Sequence, residues 1–240
     1  MKVVVNNEEV ISQMIAEDFI KVINAKPNAV LGLATGTSPL KVYADLAKAN
    51  KEGRVTFKDC TTFNLDEYVG LEGTHNQSYR YFMNENLFNH IDIDKKRTNV
   101  LLGVGDYKKF MNEYDGMIEK AGGIDIQILG IGSDGHIAFN EPGTPFGSLT
   151  HETELTEQTI KDNSRLFNDI SEVPTRAVTM GLRSIMNARE IVLIATGKNK
   201  AEAVRGLLCG PVTEDMPCSI LQCHPDCTVY VDEAAYSLVK

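Results

Sequence analysis

Short apolar runs alternate with longer amphipathic stretches along most of this 240-residue chain, and that alternation restricts the fold more than any single motif does. Lys2–Val5, residues 29–34, 60–65, 124–131 and 190–196, and Cys227–Val231 have strand length and are rich in aliphatic residues. Between them the apolar residues recur at helical spacing. In Glu8–Ala25, Val10, Ile11, Met14, Ile15, Phe19, Ile20, Val22 and Ile23 fall at that spacing. Further helices are expected over about 38–50, 76–88, 106–121 and 198–208, with a short apolar run at residues 100–102. Strands that alternate with helices need crossover connections, which parallel pairing supplies. The expected fold is therefore α/β: one domain over residues 1–240 with an open, mostly parallel, Rossmann-like sheet covered by helices on both faces. Residues 144–174 break the rhythm. They are polar, rich in Thr and Glu, and read either as an active-site lid or as a solvated insertion.

Charge and composition narrow the function classes. Hydrophobic residues make up 42% and charged residues 24%, enough apolar material for a sizeable core. The net charge of −9 without a basic block argues against bulk binding of nucleic acid or an anionic membrane. An anionic substrate then needs a local basic pocket. No apolar run reaches transmembrane length, and the N-terminus turns acidic without a signal-peptide core, so a cytoplasmic location is expected. Cys218, Cys223 and Cys227 with His224 invite a zinc reading. Their spacing lacks the paired C-x2-C of a zinc ribbon, and the flanking text looks strand-like, so reduced structural thiols are expected and no metal is assigned.

In open α/β sheets ligands bind beyond the carboxyl ends of the strands, so the residues after each strand carry the functional signal. After residues 29–34 come Thr35, Gly36, Thr37, Ser38 and Pro39, a glycine turn with hydroxyls at a helix start. This reads as an anion site or as an ordinary Ser-Pro helix cap. It is neither a Walker loop nor a dinucleotide fingerprint. After residues 60–65 come Asp66 and Glu67, a candidate general base or a pair of solvated acids. After residues 124–131 come Ser133, Asp134, Gly135 and His136, then Asn140 and Glu141, the densest polar cluster in the chain. An imidazole between carboxylates suits proton transfer near neutrality. A metal set drawn from Asp134, His136 and Glu141 would match no common zinc spacing. His75, His90, His151 and His224 lack such company. Arg165 and Lys200 are ordinary surface charges or, taken with the glycine turn, phosphate clamps.

The blocks LGLATGTSPL, TFNLDEYVGL, GIGSDGHIAFNEPG, NSRLF and GKNKA stand in this order along the chain, which resembles the glucosamine-6-phosphate deaminase (glucosamine-6-phosphate isomerase) family over essentially its whole length. The resemblance implies conversion of D-glucosamine 6-phosphate and water to D-fructose 6-phosphate and ammonia, without metal or organic cofactor. It makes Asp66 the acceptor of the C2 proton and His136 the ring-opening base, assisted by Asp134 and Glu141. It makes Thr35, Gly36, Thr37 and Ser38 the phosphate loop, with Arg165 and Lys200 as cationic partners, and a mobile lid of about 155–178. Longer family members are hexamers activated by N-acetylglucosamine 6-phosphate through basic residues after the EP turn. Here no Lys or Arg lies between Gly143 and Ile160, and the chain stops at Lys240. The expectation is no activation and a monomer rather than a hexamer. The rival readings are a 6-phosphogluconolactonase on the same fold and a non-catalytic sugar-phosphate sensor.

Overall fold

The computed structural model describes residues 1–164, 167 and 169–239. Ten strands and eight α-helices follow one another among them: β1 Lys2–Val5, α1 Glu8–Ala25, β2 Val30–Leu33, α2 Leu40–Lys51, β3 Thr61–Asn64, β4 Asp66–Tyr68, α3 Tyr79–Met83, β5 Thr98–Asn99 and α4 Tyr107–Lys120 form the first half. β6 Ile126–Leu129, β7 His151–Glu154, α5 Glu157–Asn163, β8 Arg176–Thr179, α6 Leu182–Met186, β9 Glu190–Ala195, α7 Ala201–Cys209, β10 Cys227–Val231 and α8 Glu233–Tyr236 complete it.

The main sheet has seven strands in the order β1-β10-β9-β6-β2-β3-β5. Every pair in it is parallel, as the alternation required. Each residue of β2, β6 and β10 is buried, which is why these strands read as unbroken apolar runs. Helix α1 starts where Asn7 Oδ1 accepts the Val10 N–H at 3.0 Å and buries Ile11, Ile15, Phe19, Ile20 and Ile23 against the sheet. Full burial of each such side chain stabilises the fold by about 2 kcal/mol. No helix among the described residues is long and apolar enough to cross a membrane.

A second sheet, β4-β8-β7, is small and antiparallel. The sequence did not announce it. Its strands DEY, HETE and RAVT are short and their text is largely polar, which hides the apolar contacts they make, Tyr68 and Ala177 packing with Phe139 and Leu155. Its central strand β8 takes in Ala177 and Val178, both fully buried. The interval 155–178 is therefore not one separable piece, since its last residues are fixed in this sheet. The apolar run at residues 100–102 follows β5. Two other expectations shift. The helix expected over 76–88 is α3 continued by a π-turn at Asn84–Phe88. The strand-like text before Cys223 is a 3-10 turn, Pro217–Cys223, with Pro217 at its first position. A proline there fits a helical start and cannot feed a central strand's hydrogen-bond ladder.

Candidate active site

The chain runs outward from β2 through β3 to β5, then returns to the other side of β2 with β6 and continues to β9 and β10. The β2/β6 boundary is thus the switch point of the sheet, where diverging connections leave a crevice at the carboxyl ends. A cavity of about 190 Å³ lies there. Its walls come from the segments after four adjacent strands: Thr35–Ser38 after β2, Asp66 after β3, Gly130–Ser133 and His136 after β6, and Lys200 after β9. Topology therefore brings together residues up to 165 positions apart, the separation of Thr35 and Lys200 in the sequence.

Asp66 stands where the chain leaves one sheet for the other. Leu65 N–H still donates to Leu33 of β2 (3.2 Å), while Leu65 C=O accepts from Met180 (2.7 Å) and Asp66 pairs with Thr179 of β8. Asp66 is 7% exposed and Glu67 1% exposed, so neither is a solvated loop acid. Burial, then the neighbouring Glu67 charge, pushes the Asp66 carboxyl from 3.8 up to about 8. Burial also pushes Glu67 up, to about 7, against three backbone donors. Those donors are Tyr68 N–H and Tyr79 N–H at 2.9 Å and Arg80 N–H at 3.0 Å. Glu67 thereby ties β4 to the start of α3 and sets Tyr79 in the cavity wall. The two acids have different employments: Glu67 is engaged with backbone, and Asp66 faces the cavity.

The cluster after β6 is a compact turn. Gly132 N–H donates to His136 C=O (2.9 Å) and Gly135 N–H to Gly132 C=O (3.1 Å). A Cβ on Gly132 would lie 2.3 Å from the His136 ring, so only glycine lets the imidazole fold back over this backbone. Asp134 Oδ1 lies 2.7 Å from His136 Nδ1 and accepts the His136 backbone N–H at 3.1 Å. Burial raises the Asp134 carboxyl, but the hydrogen bond and charge of His136 outweigh it and hold it at about 2. Glu141 Oε2 lies 3.6 Å from the same ring nitrogen. The following turn is held rigidly, with Asn140 Nδ2 donating to Ile137 (2.9 Å) and Met180 (2.8 Å) and with Ala138 in the left-handed region at φ 51°. The donor atoms of Asp134, His136 and Glu141 lie within 4.8 Å of one another, a span that suits proton transfer and that a divalent ion would also fit.

Helix α2 begins at Leu40 with no side chain capping it, so Ser38 is not the N-cap that Ser-Pro text suggests. Among the described residues the hydroxyls of Thr35, Thr37 and Ser38 make no hydrogen bond to the protein, and all three residues line the cavity. Gly36, at φ 94°, allows the tight turn between them. Lys200 reaches the cavity from the 3-10 turn Lys198–Lys200 that precedes α7. Hydroxyl donors and a lysine lining one cavity are the groups an anion subsite requires. Arg165 lies outside the described residues.

A profile of the family described as glucosamine-6-phosphate isomerases/6-phosphogluconolactonase matches residues 6–230. The chain belongs to this family. Glucosamine-6-phosphate deaminase of Thermoanaerobacter pseudethanolicus is 49% identical over all of this chain and 95% of its own length. The deaminase of Clostridium tetani is 50% identical over all of both chains. A monomeric glucosamine-6-phosphate deaminase of known structure superposes with a TM-score of 0.97 at 44% identity, covering 99% of this chain and 100% of its own. The doubly wound sheet expected from the alternation is the fold of that structure.

Within this family member, the sequence pointed to the Thr35–Ser38 loop, Asp66, the 134–141 cluster, Arg165 and Lys200; the loop, Asp66, His136 and Lys200 line one crevice, and Asp134 and Glu141 stand beside His136. It gave no sign of Tyr79 and placed Thr159 and Asn163 only within the lid interval; all three also line the cavity. These lie on short helices whose starts follow polar loops, and only folding brings them to the crevice. The cysteines settle as thiols: Cys218 and Cys227 are buried and Cys223 exposed, and among the described residues they form no metal-ligating group. His224 is structural, with Nε2 2.8 Å from Ala188 C=O and Nδ1 accepting the Asp226 N–H.

Proposed function

We propose that this chain converts D-glucosamine 6-phosphate and water to D-fructose 6-phosphate and ammonia, in amino-sugar catabolism. The observation that carries the reading is the single crevice lined by a buried acid with a near-neutral pKa, by an imidazole whose Nδ1 has two carboxylates beside it and by a loop of hydroxyls. The phosphate rests on Thr35, Gly36, Thr37 and Ser38, opposite Lys200, with Arg165 as the second cation. Binding energy from this remote group fixes the sugar carbons. His136 moves a proton from the C1 hydroxyl to the ring oxygen, opening the pyranose. Asp134 and Glu141 stabilise the transient imidazolium. The C1 carbonyl then makes C2–H acidic. Asp66 takes that proton, its electron pair forms C1=C2, and the C1 oxygen takes a proton from the substrate's ammonium group to give the enolamine; returning the Asp66 proton to C1 draws the nitrogen lone pair into an iminium at C2. Water adds there and ammonia departs. The segment 155–178, apart from the strand at its end, serves as a lid that excludes bulk water.

The chain acts as a cytoplasmic monomer in this reading, as a relative described as monomeric and 44% identical suggests. The absence of any Lys or Arg between Gly143 and Ile160 supports independence from N-acetylglucosamine 6-phosphate. One assay tests both points: ammonia release from glucosamine 6-phosphate at low substrate, with and without that effector. Release at equal rates is expected. No release, with hydrolysis of 6-phosphogluconolactone instead, would replace this reading with the lactonase alternative, and a clear rise with effector would end the claim of independence. Lys200→Ala is expected to raise KM by roughly 10- to 100-fold with a smaller change in kcat, the pattern of lost phosphate binding. Steady-state kinetics on glucosamine 6-phosphate measure it, and an unchanged KM removes Lys200 from the clamp.

A further inference from the structure

Helix α5 reaches into the crevice through one buried hydroxyl. Thr156 caps the helix, accepting the Thr159 N–H at 3.2 Å, and Thr156 Oγ1 donates in turn to Thr159 Oγ1 at 3.0 Å. Thr159, 3% exposed, donates to Glu141 Oε1 at 2.6 Å. The other carboxylate oxygen, Glu141 Oε2, is buried, has no hydrogen-bond partner among the described residues and faces His136 Nδ1 at 3.6 Å. A carboxylate turns about its last bond, so anchoring one oxygen fixes the place of the other. Thr156 Oγ1 also reaches Glu141 Oε1, in a long hydrogen bond of 3.5 Å, but its single proton is shared with Thr159 Oγ1 at 3.0 Å, so the short contact from Thr159 is the stronger anchor.

We propose that Thr159 is a positioning residue for ring opening: its hydroxyl sets Glu141 Oε2 against the His136 imidazole, so the proton-transfer group is complete only while α5 packs over Glu141. The inference rests on the assignment of ring opening to His136. It goes further by making an element of the lid interval part of the proton-transfer geometry, so that seating α5 and arming His136 are one event. Nothing in the covalent chemistry requires this. A buried carboxylate also needs a donor for its own stability, and the test separates the two roles.

The test is a double-mutant cycle in the full-length protein, read by ammonia release. Thr159→Val keeps the branched shape and the capped N–H while removing the hydroxyl, and Thr159→Ser keeps the hydroxyl. Thr159→Val is expected to lower kcat about tenfold, and Thr159→Ser to recover to within roughly threefold of the parent. In the His136→Gln background Thr159→Val is expected to cost nothing further, because the group it positions is gone. Thr159→Ala serves in the same cycle if the valine variant does not fold, as judged by its thermal melt. The proposal is overturned by an unchanged kcat in Thr159→Val, by no recovery in Thr159→Ser, or by an equal further loss in the His136→Gln background. Unchanged kcat beside an impaired His136→Gln overturns this inference alone. An unimpaired His136→Gln removes the ring-opening assignment and the inference with it.

Discussion

Asp66→Asn is expected to abolish turnover and to stabilise the protein. The amide cannot accept the C2 proton, and general-base catalysis typically contributes 10²–10⁴-fold, so kcat is expected to fall by about 10³ or more. The stability change follows from linkage. An unfolded Asp ionises near 3.8, whereas folded Asp66 holds its proton up to about 8. Between those values the folded state binds more protons than the unfolded one, so stability falls as pH rises through this window. The cost reaches the order of a few kcal/mol at pH 8. Asn does not ionise and avoids it. The melting temperature of Asp66→Asn is therefore expected to exceed the parent's by roughly 5 °C at pH 8 and to converge with it towards pH 4. Differential scanning fluorimetry across that range, beside ammonia release, checks both halves. A melting temperature that falls instead would make Asp66 a structural acid. In the parent, the same ionisation sets the acidic limb of kcat/KM: activity rises with pH towards 8, because only the carboxylate accepts a proton. The limb is read after correction for titration of the substrate's amine and phosphate.

The second large effect concerns the imidazole. His136→Gln removes the group that shuttles the ring-opening proton, and deamination is expected to fall by about 10²–10³. Gly132→Ala is expected to act nearly as severely without touching a catalytic group. The new methyl would lie 2.3 Å from the ring's Cε1 and Nδ1, and the ring must swing away from Asp134. A loss in kcat of at least about tenfold with little change in melting temperature is the expected signature. Full activity in Gly132→Ala would show that His136 tolerates displacement and does no chemistry in this pose. The result also separates two kinds of glycine in the loop. Gly132 is required by side-chain proximity, whereas Gly135 is required by its φ of 87° and by Met216, whose sulfur would lie 2.0 Å from a Cβ there.

The parallel sheet was legible because its central strands are buried on both faces, a condition that leaves continuous apolar text such as ILGI and IVLIA. The antiparallel sheet was not. Its strand β7 reads HETE and is only partly buried, and a strand of that kind is held by its partners, which sequence spacing does not reveal. The polar text of residues 144–174 looked like a break in the fold, yet it supplies β7 and α5.

By itself the sequence determined the α/β class, because a two-sided parallel sheet leaves its hydrophobic period on the chain. It also pointed to the strand ends that line the cavity, because a glycine turn, hydroxyls, paired acids and an imidazole are local features of composition. Only the tertiary structure decided what surrounds each group. Asp66 and Glu67 are neighbours with the same chemistry in the sequence; burial beside three backbone donors ties Glu67 to α3, whereas Asp66 is buried facing the cavity. The structure likewise decided that Thr159, from polar text without a motif, lies against Glu141. The strength of a charge or a hydrogen bond depends on what surrounds it in space, and for these residues that surrounding comes from segments distant along the chain.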